Sequence, residues 1–118
     1  MMKTVYALAV VVMALLCGCA RLASYHLDAV NLTDGMVSRA KVVFDNGKSF
    51  EWGVLSSGAK KGMWPMPGPL GRSARVEWQD VAKTQHVQQV EIPRGRAWNA
   101  IRFILHKDGT VSVETQRK

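Results

Sequence analysis

Short runs of alternating apolar and polar residues, separated by turn residues, constrain the fold of this chain more than any other feature. Beyond residue 24, no stretch has the apolar spacing of a long amphipathic helix. The spacing of the runs is instead typical of the strands of a β-sandwich. Seven runs are predicted strands: Tyr25–Thr33, Val37–Phe44, Ser49–Leu55, Ser73–Gln79, Gln85–Ile92, Asn99–His106 and Thr110–Thr115.

The register of one hairpin follows from its loop, Asp45–Gly47. A two-residue Asn-Gly turn would place apolar side chains opposite charged ones. A three-residue loop, with its glycine in the left-handed conformation, pairs Val42 with Phe50 on one face. The same loop pairs Lys41 with Glu51 on the other face. Because a one-residue slip would mix the apolar and charged faces, we predict the three-residue loop.

A second hairpin repeats this logic around the loop Lys107–Gly109. It pairs Phe103 with Val113 on the inner face and Arg102 with Glu114 on the outer face. We therefore expect a single antiparallel β-sandwich of about seven strands, immunoglobulin-like or transthyretin-like. The predicted inward residues are Ala40 (opposite Trp52), Val42, Phe50, Trp52, Val54, Ala74, Val76, Trp78, Val90, Ile92, Ile101, Phe103, Leu105, Val111 and Val113.

The N-terminal residues have a different pattern. Lys3 precedes an uncharged apolar run of twelve residues, Val5–Leu16. A helix that crosses a bilayer needs about 20 residues, so this run is predicted to be the core of a secretion signal. It ends in Leu16-Cys17-Gly18-Cys19, which resembles the lipobox of bacterial lipoproteins: an aliphatic residue, a variable one, a small one and then cysteine.

The lipobox resemblance implies cleavage after Gly18 and diacylglyceryl and acyl groups on Cys19, which make the membrane a partner. Cys17 is the competing site of acylation, but the lipobox has a small residue directly before its cysteine, and Leu16 is too large for that position. The remaining alternative is an ordinary signal with two incidental cysteines. Ala20, in place of the aspartate that retains lipoproteins in the inner membrane, favours the outer membrane. The implied division is residues 1–18 as signal peptide, 19–24 as lipidated tether and 25–116 as sandwich.

Charge and cysteine content bound the possible partners. Removal of Lys3 with the signal lowers the formal net charge from +7 to +6. Because export separates the chain from nucleic acid, we expect anionic lipid headgroups, cell-wall polymers or an acidic envelope protein instead. The basic residues are also scattered enough to form an ordinary solvated surface. With Cys17 removed and Cys19 acylated, no thiol remains for a disulfide, a nucleophile or a metal.

The segment Ser56–Arg72 departs from the strand pattern, since it contains four glycines and three prolines. That composition argues against a regular helix or a central strand, so we expect a long surface loop. Its large apolar residues either fold back over the open end of the sandwich or anchor a partner. The expected partner-binding residues are Lys60, Lys61, Met63, Trp64, Met66 and Arg72.

Groups that could carry chemistry are sparse. The three histidines lie in separate predicted strands, and no spacing indicates a metal site. Met63 and Met66 are soft ligands that suit Cu(I), with Met36 or a histidine as the third ligand. We expect no cofactor and no catalysis. The alternatives are a copper-handling periplasmic protein and a small cell-envelope hydrolase.

The strand pattern with a lipid anchor resembles small sandwich lipoproteins that act as accessory factors of the cell envelope. The lipoprotein that anchors type VI secretion machinery is one example, and periplasmic immunity lipoproteins are another. No motif of either matches this sequence residue by residue. The resemblance implies a protein-binding or structural role at the periplasmic face of the outer membrane.

Overall fold

The computed structural model describes residues 24–94 and 97–117 and, within them, the side chains of all residues except 63–65. The predicted signal peptide, Cys19 and the predicted tether up to residue 23 lie outside the described residues. In the described part, no helix has the length and hydropathy needed to cross a membrane. The strands are β1 (Ser24–Asn31), β2 (Val37–Phe44), β3 (Ser49–Leu55), β4 (Lys60–Pro67), β5 (Ser73–Gln79), β6 (Gln85–Glu91), β7 (Ala100–Leu105) and β8 (Val111–Gln116).

Two four-stranded sheets form the sandwich. Their strand orders are β4-β1-β7-β8 and β3-β2-β5-β6. Neighbouring strands are antiparallel except for β1 and β7, which are parallel. Immunoglobulin domains place strands 1-2-5-4 against 3-6-7, so the observed order removes that alternative and fits the transthyretin-like one. The all-β sandwich is confirmed, with one strand more than the seven predicted.

Both predicted hairpin registers are confirmed next to their loops. The two turn glycines have positive φ angles of 90° and 85°, as the three-residue loops require. Lys41 lies opposite Glu51, and Arg102 lies opposite Glu114. The ammonium group of Lys41 nevertheless forms its ion pair with Glu77 on β5, at 3.8 Å. The sequence therefore predicted which residues lie opposite each other, but it did not predict which carboxylate Lys41 pairs with.

A bulge changes the register of β2 and β3 at the end away from their hairpin. Ala40 lies opposite Gly53, where the unbroken pattern predicts Trp52. The backbone has positive φ at Arg39 (51°) and at Gly53 (76°). Because a bulge adds an unpaired residue and shifts the alternation, the inward prediction for Val54 is wrong, and its side chain is 50% exposed.

One core joins the inner faces of the two sheets. The Phe103 ring lies 5.8 Å from that of Trp52 and 6.4 Å from that of Phe44. Predicted core residues that are buried are Ala40, Val42, Trp52, Ala74, Val76, Trp78, Ile92, Ile101, Phe103 and Leu105. Predicted core residues that pack against this cluster while half-buried are Phe50, Val90, Val111 and Val113.

Residues Lys60–Pro67 form strand β4 and not the predicted loop. Among the described strands, β4 pairs with β1 alone and lies at the edge of its sheet. An edge strand needs backbone hydrogen bonds on one side only, so it tolerates Pro65 and Pro67. The composition of this segment excluded a central strand but left room for an edge strand.

Candidate functional site

The expected partner-binding residues occupy different environments. Lys60 is exposed at the start of β4, and Arg72 is exposed in the connection from β4 to β5. Met66 is only 6% exposed and belongs to the core. For Met63 and Trp64 the structure describes the backbone, which lies within β4. The segment therefore does not present its apolar residues together as the predicted loop would.

The edge strands β3 and β4 form one side of the sandwich, called here the guarded side. Lys61 Nζ donates to the carbonyl oxygens of Trp52, at 3.1 Å, and Val54, at 3.4 Å. Lys48 Nζ donates to the carbonyl oxygen of Pro67 at 2.7 Å. These bonds occupy carbonyl groups along both edges. Lysines, bulges and prolines are devices that prevent an edge strand from pairing with another chain.

The edge strands β6 and β8 form the opposite side, called here the open side. β6 pairs with β5 without a register shift from Gln85 to Glu91, and β8 pairs with β7 equally regularly. Neither strand contains lysine, arginine, glycine or proline. Val87 is 47% exposed in the middle of β6. A regular edge with little charge is a template for strand pairing.

The sequence predicted both strands of the open side but not their exposure as edges. That position follows from the strand order, which local patterns do not encode. The available signal was compositional: the run from Gln85 to Glu91 contains three glutamines and one carboxylate, so neither of its faces is strongly charged. A strand with two weakly differentiated faces fits the end of a sheet better than its centre.

The turn before β6 is fixed by the Asp80 carboxylate. It lies 2.9 Å from His86 Nε2 and accepts a hydrogen bond from the backbone N–H of Thr84, also at 2.9 Å. The hydrogen bond with His86, followed by that from Thr84, holds the pKa of Asp80 below its ordinary value. The imidazole ring stacks on Trp78 with centroids 5.2 Å apart. These contacts fix where the open edge of β6 begins.

A row of residues crosses the outer face of the β4-β1-β7-β8 sheet. Asp28, 8% exposed, lies with Oδ2 3.5 Å from Arg102 Nη2. A Cβ atom at Gly62 would stand 2.5 Å from Asp28 Oδ1, so the glycine makes room for the carboxylate. Glu114 continues the row on β8 and lines a groove of about 310 Å³ beside the ion pair. The ion pair of Asp28 with Arg102 thus joins β1 to β7 on this face.

Aromatic and basic residues meet at the end of the sandwich where β1 begins, called here the entry end. The rings of Tyr25 and Trp98 lie 5.3 Å apart. Arg72 and Arg94 are exposed beside them. Together they border a groove of about 440 Å³, with the buried side chain of Leu70 among its lining residues. Leu70 therefore covers the core, which was one of the two alternatives for its segment.

Two of the methionines considered as copper ligands, Met36 and Met66, lie at opposite ends of the sandwich. Met66 lies opposite Tyr25 at the entry end, whereas Met36 precedes β2 at the other end of the sandwich. Met36 therefore does not complete a site with Met66. Among the described residues, no group of three or more His, Cys, Asp or Glu side chains is placed to hold a metal ion.

Comparisons with known proteins bear on the fold. No family model matches the sequence, and no curated protein matches it. An NMR structure of a protein from Eubacterium rectale is similar, with a TM-score of 0.59 and 15% sequence identity. The match covers 82% of this chain and 92% of that chain. At this identity the likeness shows a shared fold alone.

Proposed function

We propose that the chain is a bacterial lipoprotein, anchored by acyl groups on Cys19 to the periplasmic face of the outer membrane. Its sandwich binds another envelope protein and catalyses no reaction. The lipobox Leu16–Cys19, behind a charged start and an apolar run, supports the anchor. The open side is the observation that carries the binding role, because its edges are regular and lack the devices that close the guarded side.

An extended segment of the partner adds to β6 as a further strand. Main-chain hydrogen bonds supply affinity in this mode, and alternate side chains supply specificity. On β6 the side chains that would contact the added strand are Val87 and Gln89, which are both exposed. The net charge of the mature chain favours a partner of acidic character, since complementary charge speeds encounter.

The anchor is tested with radiolabelled fatty acid in growing cells. Cys19→Ala removes the acceptor, so the label is lost, while Cys17→Ala is the matched control and keeps it. Label that remains on the Cys19→Ala protein contradicts the assignment of the lipobox.

The binding surface is tested by adding charge to each side of the sandwich. The double variant Val87→Glu, Gln89→Glu places two carboxylates on β6, where they repel an added strand of acidic character. Ser49→Glu with Val54→Glu is the matched control, because both positions are exposed on β3 and the change in net charge is the same. Crosslinked partner recovered from envelope extract should fall at least about tenfold for the β6 variant only.

Trp64→Ala is the third arm of that experiment and tests the binding site that the sequence predicted in the segment forming β4. If Trp64→Ala abolishes capture while the β6 variant retains it, the partner binds β4 and the open-side assignment is wrong. If both variants retain full capture, neither edge is the binding surface. Thermal melts of every variant establish that it is folded.

A further inference from the structure

The entry end is the part of the sandwich nearest to the proposed anchor. Strand β1 begins there at Ser24, five positions after Cys19. A fully extended chain advances at most about 3.6 Å per residue. The tether therefore spans at most about 18 Å, and the surface of the entry end stays within contact range of the lipid headgroups.

The connections at the entry end are basic. They contain one carboxylate, Asp45, and Glu91 ends β6 beside them. Among the described residues, the guanidinium groups of Arg72 and Arg94 form no ion pair. Asp45 is instead engaged with the backbone N–H of Arg72, at 3.1 Å. Among the described residues, the cations in or beside these connections are Lys48, Arg72, Arg94 and Arg117.

Aromatic side chains lie between these cations. Tyr25 and Trp98 form a tilted pair at the groove, and both are half-buried. Tyr and Trp are the residues that collect at membrane–water interfaces, where an apolar ring and a polar atom are both accommodated. Pro69 and Pro93 line the same groove and add exposed apolar surface next to the aromatic pair.

The other end of the sandwich, called here the far end, has a different charge pattern. Its connections hold three carboxylates and two lysines, and Lys107 Nζ lies 2.9 Å from Asp34 Oδ1. Asp80 is engaged with His86. The connections at the far end thus hold one carboxylate more than they hold lysines, whereas the entry end carries, beside an aromatic pair, two arginines that form no ion pair with the described residues.

We infer that the entry end docks on anionic phospholipid headgroups and holds the sandwich upright on the membrane, with the far end pointing away. Arg72 and Arg94 contact phosphate groups, and Tyr25 and Trp98 lie at headgroup level. The position of the membrane rests on the proposed anchor at Cys19. The chemistry of the surface does not, because basic residues beside an anionic bilayer are attracted to it without acylation.

The test uses the acyl-free chain from Ala20, which keeps every core residue, since the hydrophobic core and the residues packed against it begin at Tyr25. Binding is measured by sedimentation with vesicles of phosphatidylcholine, with or without about one third phosphatidylglycerol. Arg72→Gln with Arg94→Gln should lower the partition coefficient on anionic vesicles roughly thirtyfold, from two lost contacts. The matched control, Lys83→Gln with Lys107→Gln at the far end, should change it less than about threefold.

Three outcomes overturn the docking: equal loss in both double variants, binding that ignores phosphatidylglycerol, and binding that survives in the arginine variant. Equal loss means that net charge alone attracts the protein. Failure of the anchor has a different signature, because it appears as absent fatty acid on Cys19 while vesicle binding is unchanged. Brominated lipids give a second measurement: they should quench tryptophan fluorescence of the parent chain and quench Trp98→Phe less.

Discussion

The guarded and open sides of the sandwich each consist of the edge strands of the two sheets. Edge strands have backbone N–H and C=O groups with which another chain can pair. On the guarded side, Lys61 and Lys48 donate to carbonyl groups of β3 and β4. A bulge at Gly53 and two prolines interrupt the pairing further. On the open side, β6 and β8 run without a register shift and without a lysine. Because edge protection is common in β proteins, its presence on one side alone makes the other side the candidate for a partner.

The largest expected effect tests whether the two sides differ in their cores as well as in their edges. Trp52 lies on β3, and Trp78 lies on β5 opposite His86 of β6; both are almost fully buried. Trp52→Ala and Trp78→Ala should each lower the free energy of unfolding by about 3–5 kcal/mol. Urea denaturation followed by circular dichroism measures both. A loss below about 1 kcal/mol in one variant means that its side is loosely packed and that the contrast is not confined to the edges.

The next effect tests the bulge of the guarded side. Gly53 has φ of 76°, and a Cβ atom there meets nothing within 4 Å. Gly53→Ala should therefore cost about 1–2 kcal/mol from backbone conformation alone, as measured by thermal and urea unfolding. Val87→Ala is the control on the open side, where an exposed substitution should change stability by less than about 0.5 kcal/mol. Equal effects at both positions contradict a strained guarded edge.

A smaller effect on stability is expected when Lys61 can no longer donate hydrogen bonds to the edge of β3. Lys61→Met keeps the length of the side chain but removes the donor to the carbonyl groups of Trp52 and Val54. We expect a stability loss of about 0.5–1.5 kcal/mol and a new tendency of the chain to self-associate. Sedimentation velocity over a range of concentrations measures the association. Lys60→Met, one residue earlier on β4, is the control and should remain as monomeric as the parent.

The fold was predictable where side chains decide it locally. The hairpin registers followed from the separation of apolar and charged faces, with Lys41 opposite Glu51 as the check. The bulge was not predicted because the residue with positive φ on β2 is Arg39, and glycine is the residue that usually signals positive φ. Gly53, an isolated glycine inside a strand pattern, was the signal that could have revealed it.

The candidate site was less predictable, because it depends on which strands become neighbours. The composition of Ser56–Arg72 indicated an interruption, and the chain places an edge strand there. Met66 was expected at the surface, but the pairing of β4 with β1 directs its side chain towards the core. Tyr25, Arg94 and Trp98 are distant in sequence and meet through the parallel pairing of β1 with β7 and the connection before it. No local pattern contains that information.

The smallest effect concerns the turn that starts the open edge. His86 and Thr84 lower the pKa of Asp80, whereas the hydroxyl and N–H of Thr110 lower that of Asp108 in the turn before β8. The folded-state pKa of each carboxyl lies below its unfolded value. Each carboxylate therefore contributes stability above the unfolded value, and that contribution is lost as pH falls through the folded one.

His86→Phe keeps an aromatic ring against Trp78 but removes the partner of Asp80. The pKa of Asp80 should then rise towards its ordinary value of 3.8, while that of Asp108 stays lowered by Thr110. Carboxyl carbon shifts in an NMR titration report the two groups separately, so Asp108 is an internal control. Any difference in stability between the parent and His86→Phe should also narrow as the pH falls below 3.8, because protonated Asp80 no longer distinguishes them. If both carboxyls shift together, the substitution has disturbed the whole open side, and the turn at Asp80 is not an independent support of the β6 edge.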